Sequence, residues 1–144
     1  MRLGSVAAGA GRECAPAALI GALLCGPSTS PLESTMAVLM VQVQPGRLPS
    51  FSEESVVQLR AAPTPPGLVS SVEVDEGTDD GRYVNISFIS ENLKALWPIV
   101  RAQLVRLGLQ SACIVTCTGR NGWDDYLLLH HFDSAQPRDS SGAL

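Results

Sequence analysis

Residues 83–132 read YVNISFISENLKALWPIVRAQLVRLGLQSACIVTCTGRNGWDDYLLLHHF, and their pattern predicts a strand, a helix and a hairpin in succession. At its start, Val84, Ile86 and Phe88 alternate with polar residues. This period-two pattern is typical of a strand in a sheet that has one buried face and one solvated face. The sequence therefore predicts a strand over residues 83–89.

An amphipathic helix is expected after this strand. Apolar residues recur at steps of three and four from Leu93 to Leu107, and most charged residues fall elsewhere around the helix. Ser90 is expected to be the N-cap, Pro98 to kink or interrupt the helix, and Gly108 to end it. The pattern predicts a helix whose apolar stripe packs against the sheet.

Two apolar runs complete the stretch, at residues 112–117 and 126–132. Residues 118–125 between them contain the Gly, Asn-Gly and Asp residues that are typical of turns. We therefore expect a hairpin with a long loop. Both runs carry apolar side chains on both faces, unlike the strand at residues 83–89.

The preceding part of the chain supplies the other predicted elements. Residues 36–43 form a continuous apolar run of strand length, and residues 68–74 alternate again. Between them, Ser50 or Ser52 can cap a short helix. The order of elements predicts an α+β domain of the ferredoxin-like split βαβ type, β-α-β-β-α-β-β. This plan has an antiparallel sheet in the strand order 5-4-1-3-2, two helices on one face and an extra C-terminal strand.

The domain is expected to span residues 36–134. Residues 1–35 are rich in Ala, Gly, Ser and Pro, and we expect a flexible low-complexity lead or an over-extended start of the reading frame. Residues 135–144 show no periodicity and are expected to be a disordered tail. Residues 1–25 resemble a secretory signal peptide, but Glu13 abuts the apolar run and no small-residue cleavage site follows it.

Composition limits the classes of partner. The chain has 144 residues, of which 45% are hydrophobic and 17% charged, and its net charge is −4. A mildly acidic chain with a single lysine is not expected to bind nucleic acid or an anionic membrane. The apolar run at residues 15–25 is too short to span a bilayer.

The four cysteines, Cys14, Cys25, Cys113 and Cys117, match neither a metal-binding spacing nor a disulfide framework. Cys113 and Cys117 share one face of a predicted strand, with Cα atoms roughly 13 Å apart. This separation is too long for a disulfide. We therefore expect buried thiols and neither a bound metal nor a cofactor. The expected location is the reducing cytoplasm, with export as the alternative if residues 1–25 act as a signal peptide.

The candidate binding residues all lie in the last predicted hairpin: Arg120, Asn121, Trp123, Asp124, Asp125, His130 and His131. A large amphipathic ring beside charges can anchor an interface. The alternative is a turn whose aspartates bind backbone N–H groups while the tryptophan folds back on the sheet. Adjacent histidines on a strand point to opposite faces, so we expect no shared metal ion, although each could act as a general base.

The sequence contains no glycine-rich phosphate loop, no serine-hydrolase motif and no paired zinc ligands. A small non-catalytic binding or interaction module is therefore expected, such as a cytoplasmic regulator or a protein that neutralises another. The alternative is a small enzyme or small-molecule-binding domain. Its site would lie between the sheet face and a partner subunit, where His130 or His131 would lie close to Asp124 or Asp125.

The uneven hydrophobicity of the strands indicates where a partner would bind. Strands 1, 4 and 5 are apolar on both faces and would be neighbours in the predicted sheet. Their face away from the helices then needs a cover. Residues 1–35, a second copy in a homodimer, or another protein could provide it.

Overall fold

The structure, a computed structural model, describes residues 36–144. These residues form five strands and two α-helices. The strands are β1 (Ala37–Val43), β2 (Ser71–Gly77), β3 (Tyr83–Ser90), β4 (Cys113–Gly119) and β5 (Gly122–His131), and the helices are α1 (Glu53–Arg60) and α2 (Leu93–Arg106). The predicted α+β class is confirmed. The expectations for residues 1–35 concern a part of the chain outside this range. Within residues 36–144, no helix is long and apolar enough to cross a membrane.

The strands form one open antiparallel sheet in the order β2-β3-β1-β4-β5. Viewed from the other edge, this is the strand order expected from the sequence. The central strand β1 pairs Met40 with Ser87 of β3 and with Thr116 of β4. Because facing residues of paired strands share a face, the register determines which side chains lie together.

One face of the sheet is buried together with the apolar sides of the two helices. Nine apolar residues at alternating positions of β1, β3 and β4 are at most 1% exposed there: Leu39, Val41, Val43, Val84, Ile86, Phe88, Cys113, Val115 and Cys117. Leu59 of α1 and Leu96 and Val100 of α2 belong to the same core. The alternation that predicted β3 is thus the alternation between core and opposite face.

Helix α1 begins where a serine cap was expected, whereas α2 begins later than expected. Asn92 is the N-cap of α2, and its Oδ1 accepts a hydrogen bond from the N–H of Ala95 at 2.9 Å. Ser90, the predicted cap, instead ends β3. Its buried hydroxyl donates to the carbonyl of Leu68 at 2.6 Å and accepts from the N–H of Asn92 at 3.0 Å. A buried hydroxyl needs such partners, and here they join the end of β3 to the segment before β2.

Helix α2 continues through Pro98, which is exposed and does not divide the helix. Gly108 follows the helix with a φ of 67°. Only glycine adopts this left-handed conformation without steric cost, and the N–H of Leu109 then donates to the carbonyl of Leu104 at 3.0 Å. The predicted stop at Gly108 is confirmed.

The last hairpin is tighter than predicted. Gly119 pairs with Gly122, which leaves Arg120 and Asn121 as the loop. Trp123 therefore lies on β5, and the prediction of a long loop is wrong. Irregularities in the pairing of β4 with β5 accommodate the turn-forming residues, so both strands continue almost to the turn.

The segment after β5 contacts the edge of that strand. The N–H of Asp139 donates to the carbonyl of Leu128 at 2.8 Å, and the N–H of Leu128 donates to Oδ2 of Asp139 at 2.7 Å. Leu144 packs against the core. The mobility expected of residues 135–144 stays a prediction, but these contacts occupy the edge of β5 at Leu128.

Candidate binding face of the sheet

We call the face of the sheet turned away from α1 and α2 the outer face. One row across it contains Glu73, Ser87, Met40, Thr116 and Leu128, and the next contains Asp75, Asn85, Gln42, Ile114 and His131. The face is therefore acidic and polar on β2 and β3 and more apolar on β1, β4 and β5. These last three strands are adjacent in the sheet, as expected.

Trp123 and Tyr126 are the most prominent side chains of the apolar half. They are 47% and 58% exposed. They line a shallow depression of about 270 Å³ together with Met40, Gln42, Ile114 and Thr116. Exposed aromatic groups beside aliphatic ones are typical of the anchor residues of interfaces.

Sequence reasoning identified Trp123 but missed the other residues of this depression. Tyr126 was assigned to the last strand, and Met40 and Ile114 were assigned to strands, without any being named as a binding residue. The signal that could have found them is the apolar character of both faces of β1, β4 and β5. The depression is assembled from these three strands.

The charged residues of the hairpin do not join this depression. The N–H of Asn121 donates to Oδ1 of Asp125 at 2.9 Å, and its side-chain amide donates to Oδ2 at 3.3 Å. The carboxylate of Asp125 therefore closes the turn. Asp124 is exposed, and Arg120 lines a separate depression beside the start of α2.

The two histidines lie on opposite faces, as the alternation of a strand requires. His130 pairs with the buried Val115, and its Nε2 lies 2.8 Å from the carbonyl oxygen of Gln110. Because a carbonyl only accepts, this nitrogen carries the proton. On the outer side, Nδ1 of His131 accepts a hydrogen bond from the N–H of Asp133 at 3.0 Å. Both rings are thus bonded to the backbone.

The seven predicted residues do not form one site. His130 is five positions from Asp125 along β5, which separates their Cα atoms by roughly 16 Å. A histidine and an aspartate of this hairpin therefore do not converge within one chain. Within residues 36–144, no three His, Cys, Asp or Glu side chains lie close enough together to hold a metal ion.

Cys113 and Cys117 are free thiols in the core. Burial raises the pKa of Cys113 from 9.0 to about 12 and that of Cys117 from 9.0 to about 11. The thiolate, rather than the thiol, is the nucleophile and the metal ligand. Neither cysteine is therefore a candidate for catalysis near neutral pH.

We expect iodoacetamide at pH 8 to label Cys113 and Cys117 at least about 100-fold more slowly in the folded protein than in guanidinium, because fewer thiolates form. Peptide mass spectrometry measures each rate. The same shifts should make the free energy of unfolding fall as the pH rises above 9.0, since only the unfolded thiols then ionise. Rapid labelling of the folded chain would contradict the burial of both thiols.

The outer face has to be understood from its own residues. No protein-family model, curated protein or solved structure matches this chain. A fold plan by itself hosts many unrelated activities, so function has to be argued from the residues of the site. The exposed aromatic pair is the feature from which that argument starts.

Proposed function

We propose that this protein is a small non-catalytic interaction module whose outer face binds a second copy of the chain. The supporting observation is the exposed pair Trp123 and Tyr126, which lies beside Met40 and Ile114. Removing such apolar surface from water is favourable. An isologous contact between two copies is the simplest closed arrangement that achieves this.

The size of the outer face indicates a weak dimer. Five strands about 4.8 Å apart and about 20 Å long give a face of roughly 500 Å² per copy. Covering the whole face in both copies would bury at most roughly 1,000 Å², which is the lower end of the range for specific interfaces. We therefore expect a dissociation constant in the micromolar range.

The acidic half of the face determines how two copies would be oriented. Glu73 and Asp75 point out of this face on β2, at the edge of the sheet opposite β5. If the two β2 strands faced each other, four carboxylates would meet, and like charges in an interface are unfavourable. A two-fold axis parallel to the strands and centred on β4 instead places β5 of one copy over β1 of the other, so that the apolar strands of both copies face each other and both β2 strands lie outside the contact. We infer this second orientation.

The proposal also includes the ferredoxin-like split βαβ plan, with β5 as the additional strand. The strand order and the antiparallel pairing support it. A cytoplasmic location is part of the proposal as well, since Cys113 and Cys117 are free thiols, which a reducing compartment preserves. A regulator or neutraliser of another protein would use the same face with a different partner.

Sedimentation velocity on the full chain tests the proposal. Between about 1 and 100 µM, we expect the sedimentation coefficient to rise from the monomer value toward the dimer value. Trp123→Ser should raise the dissociation constant at least about tenfold, because buried aromatic anchors contribute strongly to interfaces. The matched control is Val57→Ser on α1, where another exposed apolar side chain, 57% exposed against 47% for Trp123, is removed from the other side of the sheet.

A protein that is monomeric throughout this range would overturn the self-association. Equal weakening by Trp123→Ser and Val57→Ser would overturn the assignment to the outer face. The melting temperature of Trp123→Ser should stay within about 4 °C of the parent value, because half-exposed surface residues contribute little to stability. A larger decrease would show that Trp123 serves the core instead of an interface.

A further inference from the structure

A second concave site lies on the helix side of the sheet, away from the outer face. A cavity of about 200 Å³ opens there between α2, β5 and the C-terminal segment. The residues that matter for its chemistry are Trp97 and Arg101 of α2, His130 of β5, and Arg138, Asp139 and Ser141 of the segment. The cavity thus gathers side chains from three parts of the chain.

The lining of this cavity is basic in an acidic protein. Arg101 and Arg138 supply two guanidinium groups and His130 an imidazole, whereas Asp139 is the one carboxylate. Among the residues that the structure describes, the ion pairs are those of Arg82, so neither cavity arginine forms an ion pair with a described carboxylate. The chain as a whole has a net charge of −4, so the cavity differs in sign from the average surface.

Two polar side chains of the cavity, those of Asp139 and His130, are held in place by hydrogen bonds to the backbone. Oδ2 of Asp139 accepts the N–H of Leu128 at 2.7 Å, which fixes the segment carrying the second arginine against β5. The Nε2–H of His130 donates to the carbonyl of Gln110 at 2.8 Å. This bond orients the ring and directs the Nε2–H toward the backbone.

A larger groove adjoins the cavity along α2. It has a volume of about 500 Å³, shares Trp97, Arg101 and Ser141 with the cavity, and continues past Pro98 and Val105. Helix α2 has basic residues and no acidic one. The groove therefore offers apolar surface to a ligand whose charged group sits in the cavity.

We propose that this cavity binds the phosphate group of a small molecule. Arg101 and Arg138 would form charge-assisted hydrogen bonds with its oxygens, since the guanidinium fork matches phosphate geometry, and the hydroxyl of Ser141 would donate a third bond. The volume equals that of roughly six or seven waters at about 30 Å³ each, which is room for one oxyanion. The remainder of the molecule would lie in the groove along α2.

Titration of the full chain with inorganic phosphate, followed by amide and arginine NMR signals, tests this proposal. We expect saturable shifts centred on residues 138–141 and on Arg101, with a dissociation constant in the millimolar range. Arg101→Gln and Arg138→Gln should each weaken binding at least about fivefold, because each removes one charge-assisted contact. The control is Arg60→Gln, which removes the same charge from the exposed end of α1 and should leave binding unchanged.

Several outcomes would overturn the proposal. Linear shifts without saturation would show that phosphate only screens the surface, and equal weakening by Arg60→Gln would show that net charge alone is responsible. Acetate at the same ionic strength should give clearly smaller shifts, since it carries less charge and fewer oxygens. If acetate matched phosphate, the assignment to a phosphate group would be wrong. Both arginines are exposed, so replacing them should not disturb folding. The dispersion of the amide signals in each variant checks this and is expected to be unchanged.

Discussion

Replacing Phe88 by alanine is expected to lower the free energy of unfolding by about 3–5 kcal/mol. Phe88 is 1% exposed and lies in β3 between Leu39 of β1 and Val72 of β2. Its neighbours are held by strand pairing on both sides, so they cannot close the cavity that the ring would leave. A domain of this size has only about 5–15 kcal/mol to lose. Chemical denaturation followed by circular dichroism measures the change.

The matched control for Phe88 is Tyr126→Ala on the outer face. It removes an aromatic ring of nearly the same size, but one that is 58% exposed. Measured at a concentration where the protein is monomeric, this change should cost less than about 1 kcal/mol. Equal losses from the two substitutions would mean that the sheet is buried on both faces by the chain itself.

Gly119→Ala is expected to cost about 2–3 kcal/mol and to weaken the proposed self-association together with stability. A Cβ at this position would collide with both the backbone oxygen and the carboxylate of Asp125. A backbone oxygen cannot rotate away as a side chain can, so the pairing of β4 with β5 would have to shift. Trp123 lies next to this turn and would move with it.

Denaturation and sedimentation of Gly119→Ala are best compared with those of Gly46→Ala. At Gly46 the added methyl group would meet no atom within 4 Å, and we expect a change in stability below about 0.5 kcal/mol and no effect on the proposed dimer. If Gly119→Ala kept the parent stability and the parent dissociation constant, the tight hairpin would not be what positions Trp123.

Hydrophobic pattern predicted most of the fold. Burial of one face gives the alternation that predicted β2 and β3, and the additional apolar residues of the outer face give the continuous apolar runs that predicted β1, β4 and β5. The start of α2 was mispredicted for a non-local reason. Ser90 and Asn92 are both good caps by local chemistry. The choice between them depends on Leu68, whose carbonyl takes the hydroxyl of Ser90 from a different part of the chain.

The candidate site was harder to predict than the fold. Gly, Asn and Asp around Trp123 are turn residues by local preference, and only the irregular pairing of β4 with β5 allows the strands to include them. The partners of Trp123 come from three strands, so they become visible only when the register between these strands is known. No sequence pattern predicts the contact between Asp139 and Leu128, because no periodic pattern includes both residues.

The hydrogen bonds between Asp139 and Leu128 also affect how long the protein stays soluble. The edge of a sheet presents N–H and C=O groups on which the strand of another molecule can grow. On β5, Asp139 occupies such a place, and on β2 the charges of Glu73 and Asp75 disfavour pairing with another strand. Proteolytic removal of the C-terminal segment would uncover the edge of β5, and growth of ordered fibrils by strand addition would then be favoured.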